Sequence, residues 1–201
     1  MANIIKTILL AAIAAAIALL VEQIAATIVS IYWHKEIVFE FYHQLTYFLV
    51  GAVIIEEISK YWAIAFVMRK KFDLSGLKFV LLSLLLGVSW GVFEVALILF
   101  SNQGYRAEFQ SASSQLLFSL AAVISVHSLT AFLIGSFISA ETFSGRLKSV
   151  KILFFPMLVH LLFNFLMIQK GDFTNYLITL SLAITFLVGI IIFAFNFKKF
   201  A

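Results

Sequence analysis

Long apolar runs separated by short polar links are the dominant pattern of this chain. Six runs predict helices, at about Ile4–Ile31, Phe39–Met68, Leu77–Phe100, Leu116–Ala140, Ile152–Ile168 and Asn175–Phe197. At about 1.5 Å per residue each can cross roughly 30 Å of hydrocarbon. The links are Tyr32–Glu40, the turn Asp73-Leu74-Ser75-Gly76, the polar stretch Ser101–Gln115, the basic loop Glu141–Lys151, and Gln169–Thr174. Pro156 falls in the first turns of the fifth run, where proline is best tolerated. The first run has a basic start and an Ala-rich body, as a signal peptide does. It is longer than a typical one and reads as a retained transmembrane helix.

Composition agrees with that pattern. The 201 residues are 63% hydrophobic and 12% charged, where soluble domains carry roughly 25% charged residues. The expected fold is all-α: a polytopic membrane helix bundle of about six transmembrane helices, forming one domain over 1–201 with the lipid bilayer as its solvent. A β-barrel would show short alternating segments instead. The absence of cysteine excludes disulfides and thiolate chemistry. A net charge of +4 points to no nucleic-acid partner; its distribution reports topology. Lys6, Arg69, Lys70, Lys71, Lys78, Arg146, Lys148, Lys151, Lys198 and Lys199 fall on one side. Lys35, Arg106 and Lys170 fall on the other, and Lys60 lies within the second run. The positive-inside rule places both termini in the cytoplasm of a multi-pass cell-membrane protein.

The second run contains Gly51-Ala-Val-Ile-Ile-Glu-Glu-Ile-Ser-Lys60, with two carboxylates and an amine among apolar residues. Each charge at membrane depth costs on the order of 2.5–3.5 kcal/mol. Helical spacing lets Lys60 neutralise Glu56 or Glu57, but not both. The second carboxylate needs a proton, a metal or a polar partner from another helix. Glu94, His127, His160 and Asn164 are the candidates. Counted from the basic side, Glu56, His127 and His160 lie about 18, 19 and 13–15 Å deep, and Glu94 about 25 Å. Asn164 follows His160 by one helical turn, and Trp90 precedes Glu94 by one, as a packing aromatic beside the site. Gly87 and Gly91 would let the third helix approach a neighbour closely or bend. Glu22 reads as interfacial or structural, and His34 and His43 as solvated residues of the outer link.

A carboxylate that activates water, with imidazole or amide groups facing a developing oxyanion, is the minimal equipment for peptide hydrolysis. The same Glu/His set, with Glu57, His127 and His160 as ligands, could hold a Zn²⁺ that lowers the pKa of its water to about 7. Motifs of the HExxH, Gly-x-Ser-x-Gly and GxGD types are absent. A small proton- or ion-coupled transporter would use the same residues as a relay. It would also be expected to show inverted repeats or broken helix pairs, and neither is evident.

At these positions the sequence resembles the PrsW family of intramembrane proteases, within the superfamily of CAAX-prenyl endopeptidases and bacteriocin-processing enzymes. Glu56-Glu57-Ile58-Ser59-Lys60 matches the family's Glu-Glu-x-x-Lys. Trp90-Gly91-Val92-Phe93-Glu94 matches Phe-x-x-x-Glu, with Trp replacing Phe. His127 matches a third motif, and His160-Leu161-Leu162-Phe163-Asn164 matches His-x-x-x-Asn. The resemblance covers about Gly51 to Phe165. It implies a membrane-embedded cavity opening toward the cytoplasm and hydrolysis of a membrane-protein substrate such as an anti-sigma factor. In that reading Glu56, Glu57, Glu94, His127, His160 and Asn164 are catalytic, supported by Lys60 and Trp90.

Overall fold

The computed structural model describes residues 1–33, 46–72, 74–101, 114–169 and 172–200. The link carrying His34 and His43, the start of the second run near Phe39, Asp73, most of the polar stretch before Gln115, and Lys170 lie outside them. The described residues form six helices and no strand: α1 (Ala2–Trp33), α2 (Thr46–Trp62), α3 (Gly76–Ser101), α4 (Ser114–Ser139), α5 (Lys148–Gln169) and α6 (Asp172–Phe200). Five of them, α1 and α3 to α6, are long and apolar enough to cross a membrane. The exception, α2, is the helix that carries Glu56, Glu57 and Lys60.

Two features were not predicted. First, α2 runs on as a π-helix over Ala63–Lys71, closed by Phe72 N–H donating to the Val67 carbonyl at 3.0 Å. The wider turn buries Ala63, Ile64 and Met68 together. Its basic end reaches the end of α4, where Arg69 donates to the Ile138 carbonyl at 2.9 Å and pairs with Glu141 at 3.1 Å. The Ile138 carbonyl also accepts from Glu141 N–H at 3.3 Å, and a guanidinium on these last carbonyls complements the helix dipole. Second, α5 begins at Lys148, earlier than its apolar run, so Pro156 lies inside the helix rather than in its first turns. It is buried, one turn before His160, and its missing N–H leaves the Ile152 carbonyl without its helical partner.

The interior is organised around α3 and α4, which share the most extensive interface. On the other flank of α3 lies α1, which also packs on α2. The α5 helix packs on α4 and α2, and α6 covers α4 and α5. Close approach of α3 and α4 rests on glycine. A Cβ at Gly91 would lie 2.6 Å from Ile124 Cα, and one at Gly87 would lie 2.7 Å from Ser128 Cα and collide with the His127 carbonyl. These are backbone atoms and cannot yield without separating the helices. Gly87→Ala should therefore cost about 1–3 kcal/mol through overpacking and displace His127. A lowered unfolding midpoint in detergent checks this; an unchanged midpoint would show that the contact is looser than described.

Candidate functional site

Four helices bring the predicted polar residues to one layer. Counted from the helix ends opposite the basic side, Glu56, His127 and His160 lie about 15, 20 and 14 Å in, and Glu94 about 10 Å. The structure divides the adjacent carboxylates of α2 into two roles.

Glu57 is committed. Its Oε1 accepts from Lys60 Nζ at 2.6 Å and from His160 Nδ1 at 2.7 Å, and both Glu57 and Lys60 are fully buried. Lys60 also donates to Thr130 Oγ1 at 3.2 Å and lies 5.3 Å from the centre of the Trp90 ring. Thr130 in turn donates to the His127 carbonyl at 3.3 Å. Every proton of the ammonium thus faces an acceptor or an aromatic face, the condition under which a buried charge is tolerable. Trp90, 2% exposed, is both the wall of this network and a neighbour of the His127 ring, centroid to centroid 6.3 Å.

Glu56 is uncommitted. Its Oε2 is buried without a hydrogen-bond partner, and so is His127 Nδ1. The two stand 3.8 Å apart, and His160 Nε2 lies 3.7 Å from the same oxygen. Each histidine is fixed from its far side by a different carboxylate. His127 Nε2 contacts Glu94 Oε2, while His160 Nδ1 contacts Glu57 Oε1. With those nitrogens donating their protons, His127 Nδ1 and His160 Nε2 carry lone pairs, and both point toward Glu56 Oε2. The two rings meet edge to face, with centroids 4.9 Å apart. Three electron-rich atoms facing one another across 3.7–3.8 Å repel unless something positive or hydrogen-donating lies between them.

That donor set can hold a metal ion: one ligand atom each from Glu56, His127 and His160 lies within 4.8 Å of the others. Two ligands about 2.1 Å from one cation can stand at most about 4.2 Å apart, which the two separations from Glu56 Oε2 satisfy. The backing carboxylates Glu94 and Glu57 are the outer partners that orient metal-bound histidines. The sequence reading had Glu57 as the ligand. Here Glu56 takes that place, because Lys60 and His160 Nδ1 already occupy the oxygen that Glu57 turns to the cluster.

Asn164 stands one turn beyond His160 on α5, half-buried, without a hydrogen bond to the other cluster residues. Thr130 shares a helix face with His127, and that spacing is its only sequence signal. Glu22, which reads as interfacial or structural, has its Oε1 buried without a hydrogen-bond partner.

Access is asymmetric. The half of the bundle between the cluster and the basic end is filled: Ile64, Met68, Val80, Leu86, Leu133, Ile134 and Ile152 are all 0% exposed. On the cluster itself Glu56 and Glu94 retain 12% and 19% side-chain exposure. Among the described residues, apolar side chains thus pack between the cluster and the basic end, and the exposure that remains at the cluster is on Glu56 and Glu94. No family model, curated protein or solved structure matches this chain.

Proposed function

We propose that this chain is an intramembrane endopeptidase of the kind its four motifs resemble, hydrolysing a peptide bond of a membrane-associated protein such as an anti-sigma factor in the cell membrane. The observation that carries the reading is the convergence of Glu56 Oε2, His127 Nδ1 and His160 Nε2, each histidine backed by its own carboxylate. A water among these atoms donates to Glu56 and presents a lone pair to a scissile carbonyl. As the water oxygen bonds to the carbonyl carbon, Glu56 takes its proton. When the C–N bond breaks, Glu56 returns that proton to the departing amine. The water's second proton goes to the lone pair of His127 or His160, which holds it in place, and Asn164 donates to the developing oxyanion. Glu57 and Lys60 stay paired throughout and fix the orientation of His160.

The donor set fits a divalent cation such as Zn²⁺, which Glu56, His127 and His160 would hold. Bound there, it would lower the pKa of a water to about 7.

The test is cleavage of single-span membrane proteins in proteoliposomes, with and without a chelator. Wild type is expected to cleave, and His160→Ala to lose at least about a hundredfold. Loss of activity with chelator and recovery with Zn²⁺ would assign the cation a part. If His160→Ala cleaves as fast as wild type, the proposal fails. Proton-coupled uptake without cleavage would favour a transporter instead.

A further inference from the structure

The buried face of α1 is a stripe of mostly small residues: Leu10, Ala11, Ala14, Ala15, Ala18 and Ala26. Steps of three and four residues keep these on one side of the helix. Position 22 falls on the same stripe, midway between Ala18 and Ala26, each 0% exposed. An alanine there would continue the packing. The chain has Glu22 instead, with Oε1 buried and no hydrogen-bond partner. Glu22 as a whole is half-buried, but an oxygen buried without a donor costs about 1–3 kcal/mol, which the packing of α1 does not offset.

The position on the bundle accounts for this residue. Glu22 is about 16 Å from the end of α1, in the layer of Glu56, His127 and His160. The α1 helix packs on α2 and α3, which carry Glu56 and Glu94. With all four carboxylates ionised and both histidines neutral, the single ammonium would leave three negative charges in the layer, a balance that a cation would restore. The layer also holds a fully buried, unpartnered lone pair, His127 Nδ1, aimed at its centre.

We propose that Glu22 is a positioning residue for a divalent cation: from α1 it supplies a fourth carboxylate whose charge raises the affinity of the Glu56, His127 and His160 donor set. This rests on the reading that those three residues take a cation. Glu22 contributes affinity at the expense of packing, so its removal separates the two.

The full chain in detergent micelles is titrated with Zn²⁺ against a chromophoric chelator, and with Co²⁺ for its ligand-field absorption. Wild type, Glu22→Ala, Glu22→Asp and His127→Ala are compared, each with its unfolding midpoint in the absence of metal. Glu22→Ala should bind about tenfold or more weakly with a midpoint at or above that of wild type. Glu22→Asp should recover part of the affinity, and His127→Ala should lose the Co²⁺ signature. Wild-type affinity in Glu22→Ala overturns the proposal and leaves the cation reading standing. No binding by wild type overturns both. A markedly lowered midpoint in Glu22→Ala would assign Glu22 to fold stability and overturn the proposal.

Discussion

Glu56→Gln should abolish cleavage, by about 10²–10⁴-fold, while the protein remains at least as stable as before. The substitution keeps shape and volume and removes only the basic oxygen. In the folded chain that oxygen is buried beside two histidine lone pairs with no donor to satisfy it. Neutralising the side chain relieves this strain, as often happens when an active-site charge is removed. The neighbouring Glu57→Gln should behave in the opposite way, losing stability, because it leaves Lys60 buried beside a neutral amide. Cleavage rates and unfolding midpoints of the two variants, measured side by side, decide the matter. A Glu56→Gln protein that cleaves normally would remove Glu56 from the chemistry.

Lys60→Met should be the most damaging single change to the fold, costing about 3–5 kcal/mol, the usual penalty for stranding one member of a buried ion pair. Methionine matches the length of the lysine stem, so lost volume is not the cause. The loss is electrostatic: Glu57 keeps only His160, Thr130 loses its donor, and the Trp90 face loses its cation. The double variant Glu57→Gln with Lys60→Met should recover most of that stability, since Gln still accepts from His160 Nδ1 and no unpaired charge remains. Equilibrium unfolding in mixed micelles gives the coupling energy of the cycle. Additive effects of the two substitutions would mean that Glu57 and Lys60 are not paired.

The helices were legible because hydrocarbon demands long apolar runs, and depth along each run was enough to place Glu56, His127 and His160 in one layer. The sequence could not divide Glu56 from Glu57. Both lie within a turn of Lys60, and the choice is made by Thr130, Trp90 and His160, which come from three other helices. It is tertiary information. The same holds for the π-helix, since nothing in Ala63–Lys71 distinguishes it from an ordinary helical run. Its wider turn appears only with the packing of Ile64 and Met68 and the reach of Arg69. Glu22, which reads as interfacial or structural, lies between Ala18 and Ala26 on a face of mostly small residues, and only that neighbourhood shows its carboxylate interrupting the packing.

The apolar fill beneath the cluster has a consequence for turnover. Under the proposed function, a site packed with apolar side chains toward its basic end gives a polypeptide no straight passage, and whatever arrives leaves by the route it came. Both halves of a cut chain would then compete with the next substrate for one mouth. Under the proposed function, clearance of fragments rather than bond breaking would set the pace. A burst of product equal to the number of sites, followed by a slower steady rate, would be its kinetic signature.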